Sequence, residues 1–162
     1  MQNIEEIYKE YSTSVYKYLF CLTQNKEISE DLTQETFALA VKDLKKYRGE
    51  CKLSVWLCQI AKHLWYKELK KNKKHNLSFE ELGDNFLYEN NLEENYLAKE
   101  EQIKVFENMQ KLDSTTREII YLRILGNLSY EEIGKILGKT ATWCRVNFYR
   151  GKQKLEEEND NE

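Results

Sequence analysis

The sequence predicts an all-α protein of two small helical domains joined by an acidic linker, the second domain carrying a helix-turn-helix. Three observations lead there. The 162 residues contain no proline and only six glycines, which leaves long helices unbroken and tight turns few. Apolar residues recur at helical spacing in segment after segment. Charge comes in blocks: residues 1–40 hold three bases and seven acids, 41–75 eleven and three, 76–101 one and eight, 102–162 ten and ten, within a net charge of −3. A chain patterned this way offers discrete anion-binding patches rather than a uniformly adhesive surface.

The first helix is expected from Ile4 to about Leu22, with Ile7, Tyr8, Tyr11, Val15, Tyr18, Leu19 and Leu22 on its apolar stripe. Ser29 is the expected N-cap of the second, with Glu30 and Asp31 placed well for the helix dipole. That helix should run to about Tyr47, presenting Asp31, Gln34, Glu35 and Ala38 on one face and Phe37, Ala40, Val41 and Leu44 on another. Gly49 interrupts it, and a third helix begins near Ser54 and runs out in KKNKKHN. From Asn76 to Glu94 the chain is acidic, rich in asparagine and weakly periodic, and a domain boundary belongs there. The expected division is 1–75, a linker 76–94, and 95–162. As a flexible chain the linker would span roughly 25 Å, enough for two domains to occupy separate sites on one duplex.

The second domain starts with a helix through Tyr96, Ile103, Phe106 and Met109, then one capped at Ser114 carrying Ile119, Ile120, Leu122 and Leu125. Its last part holds the most specific signal in the chain. Ser129 with Glu132 forms a capping box, Ile133, Ile136 and Leu137 make an apolar stripe, Gly138 supplies a left-handed helix end, and Thr140 caps the next helix. On that helix Cys144, Phe148, Gly151 and Leu155 share one face, while Thr142, Arg145, Val146, Tyr149, Arg150 and Gln153 share the other. The second face suits base edges and phosphates in a major groove. From Ile133 to Leu155 there are six lysines or arginines and no acid. A solvated helical hairpin with a basic face is the plainer reading of this pattern alone.

Other functions are argued against by absence of their signatures. No stretch approaches the roughly 18 apolar residues of a membrane span, and MQNIEEIYKEY lacks a signal peptide's basic and apolar regions, so a cytoplasmic protein without membrane insertion is expected. Cys21, Cys51, Cys58 and Cys144 form no CxxC pair, and with His63 and His75 alone no zinc spacing arises; reduced, mostly buried thiols and no metal or other cofactor are expected. There is no phosphate-cradling glycine loop, no histidine beside a candidate nucleophile and no carboxylate pair in an apolar site, so the chain is not expected to be an enzyme.

Three blocks in order, ISEDLTQETFALAVKDLKKYRGE, LSVWLCQIAKHLWYKELKK and LDSTTREIIYLRILGNLSYEEIGKILGKTATWCRVNFYRGKQKL, resemble an extracytoplasmic-function sigma factor of the sigma-70 family. Together they cover most of residues 28–155. The resemblance implies that Asp31, Gln34 and Glu35 dock on core RNA polymerase. It further implies that the loop from Tyr47 to Ser54 and the following helix hold a melted minus-10 strand, with Tyr47, Arg48, Lys52, Trp56, Lys62, His63, Lys67 and Lys70 as the contacts. Extracting a base from its stack costs a few kcal/mol, which such a pocket must offset. Trp65 and Tyr66 add aromatic surface there, although aromatics at helical spacing are more often core, Trp56 included. His63 stands where an asparagine is common and Lys67 where an aspartate is common.

In the third block the resemblance implies minus-35 contacts by Arg123, Thr142, Arg145, Val146, Tyr149 and Arg150. Asn147 replaces an arginine, and Val146 replaces a small polar residue, exchanging a hydrogen bond for contact with a thymine methyl. Trp143 is unusual at a helix start, and packing on the hairpin is favoured over contact with DNA sugar. Asp113 stands where the family has a proline and can cap the helix. The expected function is promoter-specific transcription initiation, with core RNA polymerase, promoter DNA and an anti-sigma factor as partners; the last is a family expectation with no feature of its own in this chain. Two rivals remain at this point: an autonomous dimeric helix-turn-helix regulator, and a helical interaction module whose basic block is merely solvated.

Overall fold

A computed structural model describes the backbone of residues 3–71 and 96–160, with side chains described except at 96–99 and 158–160. The expected linker 76–94, its two boundaries and His75 lie outside the described residues. Every regular element among the described residues is helical: α1 (Ile4–Thr23), α2 (Lys26–Asp43), α3 (Leu53–Lys71), α4 (Tyr96–Met109), α5 (Ser114–Ile120), α6 (Tyr130–Leu137) and α7 (Ala141–Asp160), with a 3-10 turn at Leu44–Lys46 and a π turn at Tyr121–Leu125.

Helices α1, α2 and α3 pack mutually into an N-terminal unit. Asn3 and Glu6 close a capping box at the start of α1. Gln24 ends α1 in the left-handed conformation, φ 55°, with its N–H donating to the Phe20 carbonyl at 2.9 Å. The second helix begins earlier than expected. Asn25, not Ser29, is its cap, and the Asn25 Oδ1 accepts from the Ile28 N–H at 2.9 Å. Ser29 is fully buried one turn inside, where its hydroxyl donates to the Asn25 carbonyl and lies 2.6 Å from the Thr23 hydroxyl. Val41 is also not on the inner face: Phe37 and Ala40 are buried, but Val41 sits a further 100° or so around the helix and is 51% exposed.

Helices α5, α6 and α7 form the C-terminal unit, α7 lying across the other two. Asp113 caps α5 by accepting from the Thr116 N–H at 3.2 Å, so Ser114 is the first helical residue rather than the cap. Gly151 lets α7 approach α5: a Cβ there would stand 2.5 Å from the Thr116 Cγ2 and 3.2 Å from Ile120. The units themselves pack together through α1 against α5 and α3 against α6.

Candidate nucleic-acid interface

The hairpin at the C-terminal end is assembled from its caps. Ser129 and Glu132 exchange hydrogen bonds at 3.1 and 2.9 Å, Gly138 closes α6 at φ 69°, and the Thr140 hydroxyl accepts from the Trp143 N–H at 3.1 Å to start α7. The Glu132 carboxyl is partly desolvated, which opposes ionisation, but the Ser129 N–H and the nearby Lys52 ammonium outweigh this and hold it below the usual carboxylate range. Cys144, Phe148, Gly151 and Leu155 are buried on one side of α7. On the other, Thr142, Arg145, Val146, Tyr149 and Arg150 are all exposed, Tyr149 at 57%.

Trp143 packs, as expected: it is half-buried against the core and receives the Lys139 ammonium over its ring, 5.2 Å from the centroid. Asn147 turns back along its own helix and donates to the Trp143 carbonyl at 2.8 Å. Arg123 is half-buried beside the hairpin, with Nη1 donating to the Leu128 carbonyl at 2.9 Å and the guanidinium over the Tyr130 ring.

A second cationic and aromatic region lies on α3 and the loop before it. Tyr47 and Trp56 are both half-buried and lean on each other, centroids 5.1 Å apart, and the Tyr47 hydroxyl donates to the Cys51 carbonyl. Gly49 turns the loop at φ 76°, a conformation that favours glycine, and leaves Arg48 and Lys52 exposed. The Lys52 ammonium lies 3.4 Å from Glu132 across the boundary between the units. Further along, His63, Tyr66, Lys67 and Lys70 are exposed around a shallow open hollow. Trp65, which sequence offered as aromatic surface, is instead core at 7% exposure.

Lys62 departs furthest from its expected setting. It is 8% exposed, and its ammonium lies 2.5 Å and 3.1 Å from the two carboxylate oxygens of Glu118 on α5. Tyr18 of α1 donates its hydroxyl to the same carboxylate at 3.1 Å. In this arrangement Lys62 faces protein rather than solvent, and a nucleic acid reaches it only after Glu118 has moved away.

Glu118 belongs to a polar seam that sequence reasoning missed. Arg117 donates through Nε to the Cys21 carbonyl at 2.5 Å and through Nη1 to the Leu112 carbonyl at 2.9 Å. Tyr121 donates to the Ser14 carbonyl at 2.8 Å, and Gln24 to the Gln110 side chain. The rings of Tyr18 and Tyr121 stack at 6.2 Å, and those of Phe20 and Phe106 approach at 6.1 Å. Burial, reinforced by the Glu118 charge, pushes the Tyr18 hydroxyl well above its ordinary pKa, and burial does the same to Tyr121. The Cys21 and Cys58 thiols are pushed up to about 12, chiefly by burial. One signal was available: Lys62 lies four residues after Cys58 and three before Trp65, in phase with the apolar stripe of α3.

The face of α2 is open. Asp31, Gln34, Glu35 and Ala38 are exposed while Leu32, Thr33, Thr36 and Phe37 are buried. Tyr8 of α1 extends this face, accepting from the Gln34 amide at 3.2 Å and meeting the Phe37 ring edge-on at 5.0 Å. Among the described residues no group of His, Cys, Asp and Glu could hold a metal ion, and no helix is long and apolar enough to cross a membrane.

Comparison with known proteins matches two family models in chain order, Sigma-70 region 2 over residues 7–75 and Sigma-70, region 4 over residues 105–155. The chain is 30% identical over 157 residues to the RNA polymerase sigma factor YlaC of Bacillus subtilis, covering 94% of this chain and 90% of that one. It is 29% identical over 157 residues to the ECF RNA polymerase sigma factor SigM of the same organism, covering 94% and 92%. Its fold is similar to that of the sigma factor RpoE in its co-crystal structure with the anti-sigma factor NepR from Bartonella quintana. The TM-score is 0.71 at 17% identity, with 96% of each chain covered.

Proposed function

Because the chain belongs to the sigma-70 family of RNA polymerase sigma factors, in its extracytoplasmic-function group, we propose that its three exposed surfaces divide promoter recognition among them. The protein is an alternative sigma factor: it binds core RNA polymerase and directs initiation at particular promoters. Residues 1–75 form the unit that docks on core polymerase and holds the minus-10 strand, 76–94 the connector, and 95–162 the unit that reads the minus-35 duplex. Asp31, Gln34 and Glu35 are the docking residues. Tyr47, Arg48, Lys52, Trp56, His63, Lys67 and Lys70 contact the minus-10 strand, joined by Lys62 once Glu118 has withdrawn. Thr142, Arg145, Val146, Tyr149 and Arg150 enter the minus-35 major groove, with Arg123 at its edge. An anti-sigma factor restrains the protein in the cytoplasm, and the chain performs no covalent chemistry of its own.

The observation that carries this reading is the division of α7. Every side chain of α7 assigned to DNA is exposed, and the stripe that seats the helix is buried. A helix anchored on one side and cationic on the other is what a major groove accepts. The packed arrangement of the units is the protein away from its promoter, since in it Glu118 covers Lys62. An autonomous operator-binding regulator leaves the exposed Asp31, Gln34 and Glu35 face without a purpose. Pull-down with core RNA polymerase followed by run-off transcription on a promoter library tests the reading; tight operator binding by the free protein with no affinity for polymerase would overturn it.

A further inference from the structure

Tyr130 opens α6 immediately after its cap, and its ring is shared by two cations from different parts of the chain. The Arg123 guanidinium, from the π turn before the hairpin, lies 4.3 Å from the ring centroid. The Arg145 guanidinium, from α7, lies 5.2 Å from it. The ring is itself held: Phe148, buried on the inner stripe of α7, meets it at 5.9 Å with planes inclined by 60°. Arg123 is further fixed by its hydrogen bond to the Leu128 carbonyl.

Two guanidinium ions gathered on one ring repel each other. The negative face of the ring offsets part of that repulsion, and an anion beside both offsets the rest. Guanidinium suits this use because it stacks flat on an aromatic face while keeping its edge donors for a phosphate or for a guanine edge. We infer that Tyr130 is a positioning residue for minus-35 recognition: its ring holds Arg123 and Arg145 as a pre-ordered cation pair that receives the oxyanion and base-edge surface of the duplex. This rests on the reading of α7 as the groove-entering helix. Tyr130 itself need not touch DNA; it removes the rotamer freedom that each arginine would otherwise lose on binding.

The test uses holoenzyme reconstituted with core polymerase and two promoters that share a minus-10 region, one with its minus-35 element and one with that element scrambled. Tyr130→Phe keeps the ring and is expected to initiate within about twofold of the parent on both. Tyr130→Leu keeps apolar volume but loses the π face; it is expected to lose about fivefold on the intact promoter and nothing on the scrambled one. Arg145→Lys keeps charge but not planarity, and its loss should be clearly smaller in the Tyr130→Leu background than in the parent, because the two changes share the stack while the base contact of Arg145 is lost in both. Equal losses by Tyr130→Leu on both promoters, or additive losses in the double variant, would show a merely structural role and overturn the inference. Full activity of Tyr130→Leu would overturn it as well. If Arg145→Ala leaves the intact promoter unaffected, the groove assignment of α7 fails first and the inference falls with it.

Discussion

The Lys62 ammonium and the Glu118 carboxylate, 56 residues apart in sequence, close on each other at 2.5 Å with side-chain exposures of 11% and 6%. Removing one partner from such a pair strands a charge in the interior, which costs about 3–5 kcal/mol, whereas apolar replacement of both is close to neutral. Lys62→Met and Glu118→Leu are each expected to lower the urea midpoint sharply, and the double variant to recover part of the loss, the remainder reflecting the Tyr18 hydroxyl left without its acceptor. Additive losses in the double variant would show that the two charges do not depend on each other.

Function should separate where stability does not. Arg145→Ala is expected to cut transcription from a minus-35-dependent promoter about tenfold while leaving polymerase binding intact, the scale of one lost bidentate base contact. Glu35→Ala should do the reverse, weakening capture by core polymerase. Loss of the same property by both variants would contradict the proposed division.

Asp113 gives α5 a pH dependence. Its carboxylate accepts from Thr116 and sits near Lys154, and these together hold its pKa below the ordinary value. A depressed folded-state pKa means that the stabilisation is complete above the unfolded value, about 3.9, and is lost as pH falls through the lower folded value. Asp113→Ala should cost about 1 kcal/mol at neutral pH, Asp113→Asn much less because asparagine also caps. Melting temperature followed from pH 7 down to pH 2 checks both, and the asparagine variant should lack Asp113's share of the acid limb.

Gly151→Ala sets two effects against each other. Alanine favours helix by about 1 kcal/mol, but its methyl would enter Thr116 and Ile120. Overpacking between two helices costs typically 1–3 kcal/mol, so net destabilisation is expected by thermal melting.

Thiol reactivity should follow burial. Cys51, half-buried in the loop before α3, is expected to alkylate first in the native protein. Cys21 and Cys58 should react only as the chain unfolds, because both are buried and burial keeps their thiols protonated. Peptide mass spectrometry after timed labelling reads this order.

The helix-turn-helix was legible because its boundaries are local: a hydroxyl, a carboxylate three residues on, a glycine and a threonine each satisfy backbone groups within one turn. The α2 boundary was misplaced for the same kind of reason. Asn25 and Ser29 both carry a capping oxygen, and only the structure shows the Ser29 hydroxyl committed to Thr23 and Asn25. The seam was illegible because its cross-unit pairs join α1, Gln24 and α3 to residues between Phe106 and Tyr121, 56 or more positions away in sequence. Thr116, Arg117, Glu118, Ile119 and Ile120 are buried in an unbroken run, so beyond its exposed first two residues this short helix has no period to read. Lys62 could be placed on the inner stripe by phase, but no local pattern names a carboxylate on another helix as its counter-ion.

Separation of the two units would leave an ammonium on α3 and a carboxylate on α5, each looking for a new counter-charge. A phosphodiester would satisfy the first and repel the second, so a nucleic acid that took Lys62 would also drive Glu118 off. Exchange of one oxyanion for another at a single nitrogen would keep that nitrogen compensated in both states, and by thermodynamic reciprocity whatever pinned the carboxylate in place would weaken the grip on such a strand to the same degree.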